Sequence, residues 1–270
     1  MLGRKHRTSF EGSLVAAALL LPGVGGMTPA QAPLPFAPGE RITYRVQVKG
    51  LGSIGRATMS VEGPMDVRGT TTYLLRSQAN AGIGPLKGSD LTESWLDPSS
   101  MASLRFHERE RRLLSTRNSR VDIYPGDGRW TNADGDSGPI ATTAPLDELS
   151  FIYFLRSLPL TPDTTYRFNR HYDTARNPIS VRVARGDSVT TPAGVFGTVL
   201  MEMHVRDPRR YRGDGIIRVY LSDDGCRIPV RVESNVPRVG SFILTLDSYS
   251  GPAPGCNVGD RAHASTTPQQ

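Results

Sequence analysis

The sequence predicts an all-β domain, an antiparallel β-barrel or half-open curved sheet with one buried apolar helix, and three observations lead there. Apolar and polar residues alternate strictly over many short segments. Turn chemistry rich in Gly, Pro and Asp separates those segments at short intervals. One stretch, residues 145–158, breaks the alternation and shows helical spacing instead.

The chain of 270 residues opens on Arg4, Lys5 and Arg7, followed by an apolar run from Leu14 to Leu21, a Pro-Gly break, and small residues around Thr28, Ala30 and Ala32. These are the three parts of a secretory signal peptide. Cleavage is expected after Ala32 or, because Pro33 hinders a peptidase at that bond, after Ala30. The apolar run is less than half of the roughly 20 residues a membrane helix requires. The expected organisation is a signal peptide over 1–32, a single β domain over 33–250, and a flexible tail over 251–270 whose Pro, Gly, Ser and Thr content suits disorder. An acylated N-terminus needs a cysteine at the cleavage site, and the first cysteine is Cys226. Later segments are too short to span as helices, since Phe151 to Leu155 runs into Arg156. The chain is therefore read as not membrane-spanning, and as periplasmic or secreted. A transmembrane barrel also alternates, but its aromatic girdles are missing here and an apolar helix does not suit a wet lumen.

Within the domain, Ile42, Tyr44, Val46 and Val48 alternate with Arg41, Thr43, Arg45 and Gln47, placing one set on each face of a strand. Ala57, Met59 and Val61 repeat the pattern. So do Tyr166 and Phe168; Ile179, Val181 and Val183; Ile217, Val219 and Leu221; Ile228, Val230 and Val232; and Phe242, Leu244 and Leu246. Gly50 to Gly52, Asp223-Asp224-Gly225 and Pro237 to Gly240 supply turns, and about ten to twelve strands are expected. The segment Phe106 to Arg112 has no apolar face and reads as solvated strand ends flanking a hairpin turn.

In the helix, Leu146, Leu149, Ile152, Tyr153, Leu155 and Leu158 form the apolar stripe. Thr143 is the expected cap, Asp147 and Glu148 sit in the first turn, Arg156 in the last, and Pro159 ends it, all in agreement with the helix dipole. Phe151 and Phe154 widen the apolar surface beyond one stripe, so the helix should lie across or plug the β structure.

Lys and Arg total 32 against 26 Asp and Glu, too mild an excess to imply nucleic acid, and the basic residues are scattered rather than striped. Arginine outnumbers lysine heavily, which reads as compositional bias. After the leader, His107, His171, His204 and His263 stand on separate segments with no metal-ligand spacing, and neither cysteine has a nearby partner, so no metal is assigned. A Gly-x-Ser-x-Gly elbow is missing. Gly50 to Gly55 spells Gly-x-Gly-x-x-Gly but lies between two strands, not before a helix, and reads as a glycine-rich turn. The carboxylates Asp90 and Glu93, or Asp223 and Asp224, are ordinary on turns and edges. No catalytic residue and no cofactor is assigned. Cys226 and Cys256 are expected to form a disulfide, because an exported chain with two cysteines meets an oxidising compartment and the tail can fold back over the last hairpin.

Four segments together resemble a family of exported bacterial proteins known as domain of unknown function 3108. They are Phe36-Ala-Pro-Gly-Glu-Arg-Ile-Thr-Tyr44, Leu149-Ser-Phe-Ile-Tyr-Phe-Leu-Arg156, Thr191-Pro-Ala-Gly-Val-Phe196 and Val219-Tyr-Leu-Ser-Asp-Asp-Gly-Cys-Arg-Ile-Pro-Val230. Tyr220 stands where a tryptophan is expected. The resemblance implies an exported β fold and no established activity. Physically, Pro38-Gly39 and Pro192 to Gly194 make turns, and Asp224 and Arg227 are expected to pair across a hairpin.

Three functional readings follow. One is a non-enzymatic exported cell-envelope protein holding a lipid-like ligand in a curved sheet closed by the helix. Another is a structural or interaction protein with a filled barrel, engaging an envelope protein. The third is a hydrolase whose site the sequence order conceals. An empty apolar cavity favours the first, an interior polar cluster the third.

Overall fold

The computed structural model describes residues 33–84, 86–206, 214–236 and 240–252. Residues 1–32 and those beyond Pro252 lie outside them. The described residues from Leu34 onward belong to one compact unit.

The strands β1 (Arg41–Val48), β2 (Gly52–Val67), β3 (Thr70–Ile83), β4 (Leu86–Asp97), β5 (Ala102–Arg112), β6 (Ser115–Tyr124), β7 (Arg129–Asn132) and β8 (Ser137–Pro139) run as an antiparallel meander. The helix α1 (Glu148–Ser157) follows, and then β9 (Thr165–Phe168), β10 (Ile179–Arg185), and the short hairpin of β11 (Val189–Thr191) and β12 (Gly194–Phe196). A second meander of β13 (Thr198–Arg206), β14 (Asp214–Ser222), β15 (Pro229–Val236) and β16 (Gly240–Ser250) completes the sheet. Because β16 pairs with β1, the two meanders fuse into one 14-stranded sheet running from β8 to β9. Among the described strands only β11 and β12 stand apart.

The sheet is curved but not closed, which resolves the expected choice in favour of the half-open form. Register shifts occur at Thr43/Tyr44, Val46/Gln47, Trp95/Leu96 and Tyr220/Leu221, and between Glu62 and Met65. Each such irregularity bends its strand and increases local twist, and together they curl the sheet around α1. The main core joins inward residues of both meanders and of β10, among them Ile42, Tyr44, Met59, Leu75, Val181, Met201, Val219, Val230 and Leu246, to Leu149, Phe151, Tyr153 and Leu155 of the helix. A smaller cluster of Phe106, Val121, Ile123 and Tyr172 packs under Trp130.

The helix starts later than its apolar pattern predicts. Asp147, not Thr143, is the N-cap: its carboxylate accepts from the Leu149 and Ser150 N–H groups, and Ser150 Oγ accepts from the Asp147 N–H. This capping box satisfies the first-turn donors inside the core, where water cannot. The expected pair across the β14–β15 turn also takes another form. Asp224 Oδ1 accepts the N–H groups of Cys226 and Arg227, while the Arg227 guanidinium turns to the carbonyls of Arg156 and Leu158 at 3.0 and 2.5 Å. A cation thereby closes the C-terminal end of α1, where the helix leaves carbonyls unpaired.

Candidate functional site

The inner face of the sheet carries three features that chemistry could use: a buried ion pair, a polar cluster at the start of α1, and an open groove.

Arg156 lies on the core side of α1 and is fully buried with Glu40. Its two terminal nitrogens each donate to a Glu40 oxygen at 2.7 Å, and Nη2 also reaches the carbonyls of Pro35 at 2.7 Å and Cys226 at 3.1 Å. The guanidinium carbon stands 5.4 Å from the ring centres of both Phe36 and Tyr153, close enough for cation–π attraction. Burial, opposed by Arg156 and reinforced by Glu40, pushes the Tyr44 phenol far above its ordinary value. The sequence reading of Arg156 as a dipole-compensating last-turn residue was thus incomplete. Its partner comes from the opening segment and its third contact from the late hairpin, so three of the four family-like segments converge on one guanidinium. The fourth supplies Phe196 to the same core.

At the other end of α1, Ser94 Oγ donates to Asp147 Oδ2 at 2.5 Å and Ser103 Oγ donates to Ser150 Oγ at 2.7 Å. Burial pushes the Asp147 carboxyl up to about 6 despite these donors. Beside it, burial is outweighed by the adjoining His171 ring and the Arg176 guanidinium, which hold Glu148 below the usual carboxylate range. Serine, histidine and acid therefore come together, as a hydrolase would need. Their geometry is nevertheless that of a cap: His171 Nδ1 accepts the Asp173 N–H at 3.0 Å, and Nε2 faces Glu148 at 3.7 Å instead of a serine. Ser94, Ser103, Ser150, Asp147 and His171 are all buried, with no opening toward a substrate. A triad requires a nucleophile–base hydrogen bond and an adjacent space for the reacting atom.

The groove lies farther along the same face, between α1 and the end of the sheet where β1 turns into β2, β3 into β4, and β5 into β6. Its volume is about 470 Å³, and Ile54, Ala79, Ala81, Ile83, Leu113, Leu114 and Phe242 give it apolar walls, with Lys87, Asp90 and Arg112 among its polar lining. Register explains why it is open. Leu75 opposes Val61 lower down, but Ala79 opposes Ala57 and Ala81 opposes Gly55 toward the rim, with Gly88 next across the sheet. Inward volume therefore shrinks strand by strand. Gly55 is required by backbone approach, since a Cβ there would lie 2.0 Å from the Asn80 carbonyl oxygen. Asp90 and Arg112 form an ion pair within the groove's lining.

Of the residues singled out in the sequence, Gly50 to Gly55 lie at this rim as a turn and the start of β2, and Asp90 lines the groove while Glu93 pairs with Arg76. His107 stacks edge-on against Trp95, and His204 lies near Glu202. His263 lies outside the described residues. Cys226 is buried beside Arg156, and Cys256 lies outside the described residues. Among the described residues no three His, Cys, Asp or Glu side chains gather as metal ligands, and no helix is long and apolar enough to cross a membrane. The groove was not foreseen as a place. Its only sequence signal was the run of Ala and Gly at inward positions of β2 to β4.

Among curated proteins no sequence relative matches. Among solved structures, a beta-barrel-like protein of domain of unknown function DUF1849 from Brucella abortus is similar, with a TM-score of 0.50 at 10% identity over 81% of this chain and 99% of that one. This is a likeness of fold. A Bacteroides fragilis protein with a YmcC-like fold aligns at 14% identity and a TM-score of 0.28, over 80% of this chain and 98% of its own. A Parabacteroides distasonis protein crystallised as a candidate lipoprotein aligns at 11% and 0.31 with the same coverage. Three of the four segments that meet around α1 fall inside the region of a single family model, and the first overlaps its start at Ile42 to Tyr44. That model, described as protein of unknown function (DUF3108), matches residues 42–247, and the chain belongs to this family.

Proposed function

We propose that the chain is a non-enzymatic, exported cell-envelope protein that holds an apolar or amphiphilic, lipid-like molecule in the rim groove of its curved sheet. The observation that carries this reading is the groove itself. Its volume of about 470 Å³ falls in the range of roughly 300–1,000 Å³ typical of small-molecule sites. Aliphatic and small side chains along its walls suit a hydrocarbon chain, and Lys87 at the polar side, beside the Asp90–Arg112 pair, suits an anionic head. Export rests on the leader read in residues 1–32 and implies a periplasmic or secreted protein. The bridge between Cys226 and Cys256 belongs to the same reading, and the chain at Gly251 and Pro252 passes beside Glu40 and Gly39, on the side where Arg156 meets Cys226.

The helix-filled half of the sheet favours a structural role for that half, so the groove is what separates a carrier from a filled scaffold. Binding is tested with an environment-sensitive naphthylamine dye and its displacement by a lysophospholipid. Dye fluorescence should rise with the natural chain, fall on adding the lipid, and stay low for Ala81→Trp, whose indole fills the groove. A natural chain that leaves the dye dark would favour the filled scaffold.

A further inference from the structure

Four of the five strongly exposed large aliphatic residues among those described sit at the end of the sheet that bears the groove: Leu51 at 62% exposure, Ile83 at 49%, Leu113 at 62% and Leu114 at 94%. Three alternate hairpins of the first meander place them there, because Val48 pairs with Gly52, Ile83 with Leu86, and Arg112 with Ser115. The fifth, Val195, lies on the separate β11–β12 hairpin. Charge at these tips has one sign. Lys49, Lys87, Arg111 and Arg112 lie within or beside the turns, Arg112 paired with Asp90 just behind them, and no acidic residue occurs in 49–54, 82–88 or 111–115. The chain has three lysines; one is in the leader and the other two are Lys49 and Lys87. Turns at the opposite end differ in kind, exposing Arg68, Gly69, Ser99 and Ser100.

Isolated exposed leucines are ordinary, but aliphatic tips grouped on one rim and framed by cations are the pattern of a surface that enters a lipid headgroup layer. Lysine and arginine draw such a rim to anionic lipids, and the aliphatic tips bury in the layer beneath. We infer that this rim docks on an anionic phospholipid bilayer, with Leu51, Leu113 and Leu114 inserted and the mouth of the groove facing the lipid. Docking rests on the proposed function only for compartment, and it gives the groove's ligand a source: an acyl chain passes from bilayer to groove without crossing water.

Co-sedimentation of the full chain, expressed with its own leader and purified from the periplasm, with phosphatidylethanolamine vesicles containing about one-third phosphatidylglycerol tests this. Binding is expected, weakened by salt and absent on phosphatidylcholine alone. Leu113→Asp with Leu114→Asp should lower the partition coefficient by about tenfold or more, and Lys49→Glu with Lys87→Glu should lower it on anionic vesicles, while Val195→Asp leaves it unchanged. These positions are exposed, so an unchanged circular dichroism spectrum verifies folding. A natural chain that ignores vesicles, or leucine variants that bind as well as it does, would overturn the inference. A reversible dimer abolished by the leucine variants, without vesicle binding, would assign the rim to a second copy. Failure here is distinct from failure of the groove: Ala81→Trp should still sediment with vesicles, and a chain that displaces dye yet ignores vesicles would lose docking alone.

Discussion

Two regions of one concave surface, the half under α1 and the half toward the rim, are built on the same strands with the same alternation, yet one is solid and the other open. Under α1, Met59, Val61 and Leu75 meet Tyr153 and Leu155 in the core. A few residues along the same strands, Ala57, Gly55, Ala79 and Ala81 stand at the corresponding inward positions. Alternation decides which side chains face inward; their volume decides whether the space is filled. The packed half also carries the costly groups, a buried ion pair and a buried cap, which fix α1 in one position.

If the packed half anchors the fold, its buried pair should be the most sensitive point. Arg156→Met or Glu40→Gln leaves a buried charge without its partner and should cost about 3–5 kcal/mol in equilibrium denaturation. The double variant Glu40→Met with Arg156→Met should cost less than the two singles together, because neither charge is then stranded. Strict additivity would show that the two groups do not act as a pair. The proposed bridge comes next. A disulfide closing the loop from Cys226 to Cys256 should stabilise the chain by about 3 kcal/mol, lost on reduction. Thiol titration of denatured, unreduced protein reads it directly, and two free thiols per chain would end the idea.

The cap should show itself in pH dependence. Asp147 binds its proton more tightly folded, at about 6, than at its ordinary value of 3.8, so its contribution makes stability fall as pH rises through that window. The whole step is about 2–3 kcal/mol, and Asp147→Asn should abolish it. Glu148 works with the opposite sign: its folded value is lowered, so its contribution is present above the unfolded value and is lost only in stronger acid. A natural chain with no loss of stability between pH 4 and 6 beyond that of the Asn variant would remove the Asp147 argument. The smallest effect on stability belongs to the rim. Ala81→Trp grows into open space and should change stability by less than about 1 kcal/mol, where the same enlargement in a packed core would cost about 1–3. A larger loss at position 81 would mean that the groove is not open.

The contrast between the halves also explains what the sequence made legible. Strands with one wet and one buried face, such as Ile42 to Val48, announce themselves by alternation, and α1 by its stripe of Leu149, Tyr153 and Leu155. The upper parts of β4, β5 and β6 were harder to read, because near the rim Thr92, Glu108 and Ser119 oppose one another on the inner face and both faces are polar. Fourteen strands in the sheet therefore exceed the ten to twelve expected. The cap moved from Thr143 to Asp147 because the preceding residues bond elsewhere, Pro145 to Ser103 and Leu146 to Arg170 and Tyr172, which leaves the helix no earlier start. The pair of Glu40 with Arg156 joins residues 116 positions apart, and no local pattern reports such a partner. The groove is invisible for a related reason: it depends on small residues coming into register across three strands, and register belongs to the fold.

The central claim is that the open half of the concave face exists to hold a ligand. Native mass spectrometry of the chain purified from the cells that naturally produce it tests this most directly. The expected result is a chain carrying the added mass of one amphiphile, released on denaturation and absent from Ala81→Trp; a natural chain at the mass of its polypeptide alone would contradict it.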